Sequence, residues 1–172
     1  MIDLQAHSTV SDGQLEPAGV ARAAADAGVT VMSLTDHDGI AGVAAATEVA
    51  EDAGITNVPG VEMSCVHKYS EDLHICGYWV DPERIRPACE RAQQERIDRA
   101  KEIVARLRSH GVEVTFEGAV AQAGAADAIG RPHIAKAAGA GPDLGPFFGE
   151  YLVPGAKAFV ARRWPTAEQA VE

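Results

Sequence analysis

The apolar positions of the first eighty residues fall into short runs separated by alanine-rich stretches. Ile2 to His7 is short and apolar and reads as a strand. Pro17 to Ala27 predicts a helix, with Pro17 suited to a first helical turn and Gly28 to the stop. Val29 to Leu34, rich in branched side chains, predicts a buried strand. Ile40 to Ala53 predicts a second helix, stopped by Gly54. Ile55 to Met63 predicts a third strand, broken at Pro59-Gly60, and Leu73 to Val80 a fourth. The β-α-β-α-β order implies parallel strands joined by right-handed crossovers, an α/β layer or barrel.

The pattern changes at Pro82. From there to His110 one long helix is expected, with Ile85, Cys89, Ala92, Ile97, Ala100, Ile103, Val104 and Leu107 at mixed spacings of three and four. Its other face is charged and includes Glu95 with Arg99 and Glu102 with Arg106 at i,i+4. Gly and Pro then divide residues 115–160 into short helices at 116–123, 132–138 and 146–152. The chain thus divides into first strands over 1–81, a helical insert over 82–160, and the start of a return to the sheet over 161–172. Thr166 is placed to cap a last helix, with Gln169 as its capping-box partner. No stop signal follows, and a short parallel sheet leaves an open edge. The pattern reads as the front part of a longer protein.

Composition narrows the classes. The 172 residues are 47% apolar, and alanine alone supplies 32 of them, so the core is built of small side chains. No run approaches the ~18 apolar residues of a membrane span. The start, Met1-Ile2-Asp3-Leu4, lacks the basic and apolar regions of a signal peptide. Three cysteines without CxxC spacing (Cys65, Cys76, Cys89) disfavour a disulfide scaffold and fit the reduced cytoplasm. The net charge of −10 argues against general binding to a nucleic-acid backbone. Its distribution is uneven: residues 1–81 carry 13 acids and two bases, whereas 82–172 carry 12 acids and 13 bases. A cation site facing an anion site would produce this asymmetry, and so would a solvated acidic surface.

Polar clusters stand where the expected strands end. On the first strand Gln5 and His7, two apart, face the same way, and Asp12 follows before Gly13. Thr35-Asp36-His37-Asp38-Gly39 follows the second strand, Glu62 ends the third, and His74 lies in the fourth. In α/β barrels ligands bind at the carboxyl ends of the strands, so His7, Asp12, His37, Glu62 and His74 are placed to converge. Imidazole with carboxylate suits Zn, Mn or Fe, and a bridging carboxylate suits a multinuclear site. Taken singly, Asp12 also suits an Asx-turn, and Asp36 or Asp38 a cap for the helix starting near Ile40.

Asp3-Leu4-Gln5-Ala6-His7-Ser8 with Ser11-Asp12-Gly13, then Leu34-Thr35-Asp36-His37-Asp38, then Pro59-Gly60-Val61-Glu62, resemble the first motifs of the PHP (polymerase and histidinol phosphatase) superfamily. The chain is most similar to the metal-dependent phosphoesterase branch, which includes the 3′,5′-nucleoside bisphosphate phosphatases. His74-Ile75-Cys76-Gly77-Tyr78 is similar to the next motif of that branch, and Gly130-Arg131-Pro132-His133-Ile134-Ala135 to one in its helical insert. The resemblance implies the N-terminal part of a distorted (β/α)₇ barrel with a helical insert. It also implies two or three divalent metals (Mn, Zn, Fe or Mg) and hydrolysis of phosphate monoesters by a metal-bound hydroxide. By motif, His7 and Glu62 would hold one metal, Glu62 would bridge to a second shared with His74, and Asp12 and His37 would hold a third. Arg131 and His133 become candidates for substrate phosphate, with Lys157 and Arg162 further candidates of the same kind.

Two departures from the family pattern stand out. Gln5 occupies the first histidine of the family's His-x-His, and a Gln carbonyl oxygen favours hard cations over Zn. The family's later His-Pro and terminal Asp-x-His motifs are not matched, since no histidine follows His133. The leading expectation is a phosphatase for small nucleotides such as 3′,5′-bisphosphates, with no membrane partner. Its rivals are a degenerate PHP domain that binds metal or phosphate without turnover, and an editing module of a polymerase.

Overall fold

The computed structural model describes residues 1–67 and 70–171. The chain forms two compact units, Met1–Ala92 with Trp164–Glu172, and Gln93–Arg163.

In the first unit, β1 (Ile2–Ala6), β2 (Val31–Leu34) and β3 (Thr56–Asn57) make a parallel sheet in the order β1-β2-β3. Helices α1 (Pro17–Asp26) and α2 (Val43–Asp52) are the crossovers. Alanine-rich sequence has a packing reason here. Ala21, Ala46 and Ala50 are fully buried among Val29, Met32 and Leu34. A Cβ on Gly42, just ahead of α2, would lie 2.8 Å from the Pro17 ring and 2.9 Å from Leu34. Only small side chains permit so close an approach of helix to sheet. β1 is an edge strand, and Ile2 and Leu4 on it are exposed.

The third expected strand is two strands. β3 stops before Val58-Pro59, and β4 (Gly60–His67) pairs antiparallel with β5 (Ser70–Tyr78). The expectation of parallel strands throughout is therefore corrected. Pro59 has no N–H to extend the β3 ladder. Gly60 then crosses against β2, where a Cβ would stand 2.2 Å from Ser33 Oγ and 2.8 Å from Thr35 Cγ2. β4 is buried from Gly60 to Cys65, so its sequence shows no alternation to betray its partners. One parallel bridge, His37 to Glu62, ties β4 to the segment after β2, and a second, Val66 to Thr166, ties it to the returning chain. The fold is mixed α/β, but among the described residues the strands close no barrel: three lie in one sheet and two in a hairpin.

Ile40, Val43, Val61, Met63, Cys65, Cys89 and Ala92 form the other core of this unit, with Trp164 and Ala170 alongside. The last helix, α7 (Ala167–Val171), opens with the expected capping box. Thr166 N–H donates to Gln169 Oε1 (3.0 Å) and Gln169 N–H to Thr166 Oγ1 (3.3 Å).

The long helix α3 (Pro82–Ser109) starts in the first unit and ends in the second. In the second unit Ile103, Leu107, Ile129, Ile134 and Leu152 head a separate core. Around it lie α4 (Phe116–Ala123), α5 (Arg131–Ala137) and α6 (Gly145–Phe147), the last continued by a π-helical turn over Phe148–Leu152. Arg106 pairs with Glu102 at 2.6 Å as the i,i+4 spacing predicts, and Arg99 Nε donates to Val160 O at 2.8 Å. No helix among the described residues is long and apolar enough to cross a membrane.

Candidate metal centre

Segments at the ends of β1 and β2 and inside β5 bring polar side chains to one carboxylate, Glu62, which lies near the start of β4 rather than at a strand end as expected. The β1–β2 register slips between Asp3 and Ala6, an irregularity that re-aims the end of β1. Gln5 Nε2 then lies 3.2 Å from Glu62 Oε2, and His7 Nε2 lies 2.8 Å from the same oxygen. His37 brings Nδ1 to 3.9 Å from that oxygen. On β5, His74 places Nδ1 2.9 Å from the other oxygen, Glu62 Oε1. Asp12 reaches in from the loop after β1, with Oδ1 2.9 Å from His7 Nδ1 and Oδ2 3.7 Å from His37 Nε2. The His7 and His37 rings meet edge-on at 4.6 Å, and the His37 and His74 rings at 4.7 Å. All five residues singled out as ligands from the sequence, and Gln5 with them, are thus brought together.

The site's electrostatics suit a cation. The Glu62 side chain is only 4% exposed. His37 Nδ1 is buried without a hydrogen-bond partner, an arrangement that costs about 1–3 kcal/mol. Burial pushes the His37 imidazole below its ordinary pKa; the charges of Glu62 and Asp12 oppose this, and His7 and His74 add to it. A neutral ring keeps a lone pair for a metal. At Asp12 burial acts upward, but the His7 hydrogen bond and the neighbouring His37 and His7 hold the carboxyl below its usual range. His7, His37 and Glu62 each offer one ligand atom, all within 4.8 Å of one another. Nitrogen and carboxylate donors of this kind fit Zn, Mn or Fe.

Asp36 and Asp38 do not cap α2, which starts at Val43 behind Gly42. Asp36 accepts from the Ser8 N–H, the Ser8 hydroxyl and the Ser11 hydroxyl, each at 2.7 Å. Asp38 Oδ1 accepts the Ser64 N–H at 2.8 Å. Sequence reasoning gave these carboxylates and Ser8 and Ser11 no part in the site. The signal was their presence inside the same clusters as His7 and His37.

The residues expected to meet phosphate lie in the second unit. Arg131 Nη1 donates to Leu152 O (3.3 Å), and its guanidinium lies 5.9 Å from the Phe148 ring centroid. His133 Nδ1 accepts the Gly130 N–H (3.1 Å) at the start of α5. Lys157 pairs with Glu150 at 2.6 Å, and Arg162 is half-buried.

Residues 3–112 match the PHP domain. The chain belongs to the PHP domain family. Across 175 residues this PHP protein is 34% identical to the 3′,5′-nucleoside bisphosphate phosphatase of Chromobacterium violaceum, covering 99% of the chain and 61% of that protein. It is 34% identical over 179 residues to the 5′-3′ exoribonuclease Rnm of Escherichia coli, covering 99% of the chain and 60% of that protein. A solved amidohydrolase structure from Chromobacterium violaceum, with bound sulfate and no metal, superposes with a TM-score of 0.82 at 34% identity, covering 99% of this chain and 61% of that one. A structure from Bifidobacterium adolescentis, assigned as a metal-dependent phosphoesterase, gives 0.78 at 28% identity with the same coverage. The chain therefore spans about three fifths of the length of the curated relatives it matches.

Proposed function

We propose that this PHP protein is a metal-dependent phosphoesterase that hydrolyses phosphate monoesters of small nucleotides, 3′,5′-bisphosphates foremost. One observation carries the reading: the two oxygens of buried Glu62 face different histidines, His7 and His37 on one side and His74 on the other. A bridging carboxylate between two cations has this disposition. His7 and Glu62, with Gln5, would hold one divalent cation; Glu62 and His74 would hold a second; Asp12 and His37 would hold a third. When bound, such cations neutralise phosphoryl oxygens and bring the pKa of water toward about 7. The same reading takes the five strands as the N-terminal part of a (β/α)₇ barrel.

The protein's own side chains supply the rest. Asp12 holds His7 by Nδ1, which leaves Nε2 turned toward Glu62. Gln5, whose Nε2 donates to Glu62 Oε2 at 3.2 Å, would present its oxygen to a cation with the amide turned over, and that oxygen would bias the position toward Mn or Mg. Arg131 grips a substrate phosphate with paired N–H groups, His133 adds a donor, and Lys157 and Arg162 supply further positive charge.

The exoribonuclease relatives favour a second reading, removal of nucleotides from an RNA 5′ end at the same site. The net charge of −10 supports the small substrate, since a long polyanion meets more repulsion. The test is phosphate release by the Mn²⁺-supplied protein from a 3′,5′-bisphosphate and mononucleotide release from a short 5′-phosphorylated RNA. Turnover of the bisphosphate alone is expected, with KM raised and kcat little changed in Arg131→Ala. Metal uptake without turnover of either substrate would mark a binding domain and contradict the proposal.

A further inference from the structure

His37 stands between two buried carboxylates, and each is tied to a different ligand-bearing segment. Asp36 is 2% exposed and Asp38 0%. Asp36 Oδ1 takes the Ser8 N–H and the Ser11 hydroxyl, and Oδ2 takes the Ser8 hydroxyl, all at 2.7 Å. These donors lie between His7 and Asp12, 25 and 28 residues from Asp36. The segment is also closed on itself. Ser8 O accepts the Ser11 N–H (3.1 Å) and the Gly13 N–H (2.9 Å), and Ser8 Oγ accepts the Val10 N–H (3.2 Å). A turn fastened this way has little freedom left for Asp12.

Asp38 acts on the other side. Its Oδ1 takes the Ser64 N–H at 2.8 Å, two residues beyond Glu62. Its own N–H donates to Glu62 O at 2.9 Å, while Asp36 O accepts the Glu62 N–H at 3.2 Å. Asp38 adopts φ +52°, which is uncommon for a residue other than glycine but open to Asp and Asn.

We infer that Asp36 and Asp38 are positioning residues with separate targets: Asp36 sets Asp12 against His7 and His37, and Asp38 sets Glu62 against His37. The effect on metal rests on the metal-centre reading proposed above; the fastening rests on the hydrogen bonds alone. Charge-assisted bonds from a buried carboxylate are about twice as strong as neutral ones. An asparagine keeps the shape and loses that strength. At position 38 it also tolerates the positive φ, so the fold survives the change.

The test uses the whole chain and two measurements. In amide hydrogen exchange without metal, Asp36→Asn is expected to speed exchange at Ser8, Ser11 and Gly13 at least ~10-fold while Ser64 and Glu62 stay protected. Asp38→Asn is expected to do the reverse. Ser11→Ala, a milder change, reproduces part of the Asp36→Asn effect and adds little to it in the double variant. In Mn²⁺ titrations followed by electron paramagnetic resonance, Asp36→Asn weakens one class of bound Mn²⁺ by ~10–100-fold with the saturating number unchanged, as loss of an outer partner does. If either variant opens both segments, or neither variant opens its own, the inference is overturned. It is overturned too if wild type binds Mn²⁺ and Asp36→Asn binds it equally well, because the carboxylate then serves the fold alone. A wild-type chain that takes up no Mn²⁺ overturns the metal-centre reading, while the exchange pattern still decides the fastening.

Discussion

Replacing Gly13 by alanine adds a methyl group where the chain has no room for one. The new Cβ would lie 2.3 Å from His7 O, 2.5 Å from His7 C and 2.7 Å from Ser8 N. All three are backbone atoms, so no rotamer change relieves the overlap. Restoring an ordinary contact of 3.4 Å moves the turn by roughly 1.1 Å. That displacement takes the 2.9 Å contact between Asp12 Oδ1 and His7 Nδ1 out of hydrogen-bond range. A hydrogen bond to a charged group contributes about 1.5–3 kcal/mol, a factor of ~10–150 in an equilibrium constant. The Asp12 side chain is 61% exposed, so solvent screening places the effect at the low end, about tenfold. Titration calorimetry with Mn²⁺ reads the affinity, and circular dichroism reads the fold. The expected result is binding about tenfold weaker, an unchanged saturating number and a lowered Tm. Wild-type affinity in a variant with wild-type Tm would refute the claim that this turn places Asp12.

Three further outcomes are expected. In the native chain iodoacetamide labels Cys76 well before Cys89, whose buried thiol is pushed up to about 11; peptide mapping that finds Cys89 labelled as fast contradicts its burial. Stripped of metal, the chain loses stability as pH falls below 6.5, the ordinary His value, because burial holds His37 lower in the folded state. Above that pH the ring is neutral folded and unfolded; below it the unfolded chain binds the proton more readily, and the loss grows down to the folded value. Urea midpoints at about pH 7.5 and about pH 5.5 check this, with a smaller drop expected in His37→Gln. Finally, Gln5→His replaces an amide beside Glu62 with an imidazole, and competition with a zinc chelator is expected to show tighter Zn²⁺ binding; no change would place position 5 outside the metal's reach.

Local chemistry made much of the first unit legible. Pro17 opens α1, and Thr166 with Gln169 builds the capping box of α7, because these signals act within one helical turn. The ligand set was legible in part for a related reason: His7 and His37 follow short strands, and Gln5 and His7 share a face by the period of two, whereas Glu62 and His74 lie inside β4 and β5. What escaped the sequence is long-range. Pro59-Gly60 marks a break in either topology, and only the pairing of Glu62 with Cys76 and Ser64 with His74 shows that the chain turns into an antiparallel hairpin. Asp36 and Asp38 stand where helix caps stand, four and two residues before Ile40. Their actual donors are Ser8, Ser11 and Ser64, at separations no local pattern encodes. Arg131 and His133 were legible as a motif, and their own contacts are to Leu152 and Gly130.

The central claim is that Glu62 joins two cation positions, and a count of metals per chain tests it most directly. Wild type and Glu62→Gln would be expressed with Mn²⁺ and Zn²⁺ supplied, desalted and measured by plasma mass spectrometry beside circular dichroism. Because one Glu62 oxygen faces His7 and His37 and the other faces His74, the account predicts two or more metals in wild type and at most one in the folded variant. A metal-free wild type, or a variant with the wild-type count, would contradict it.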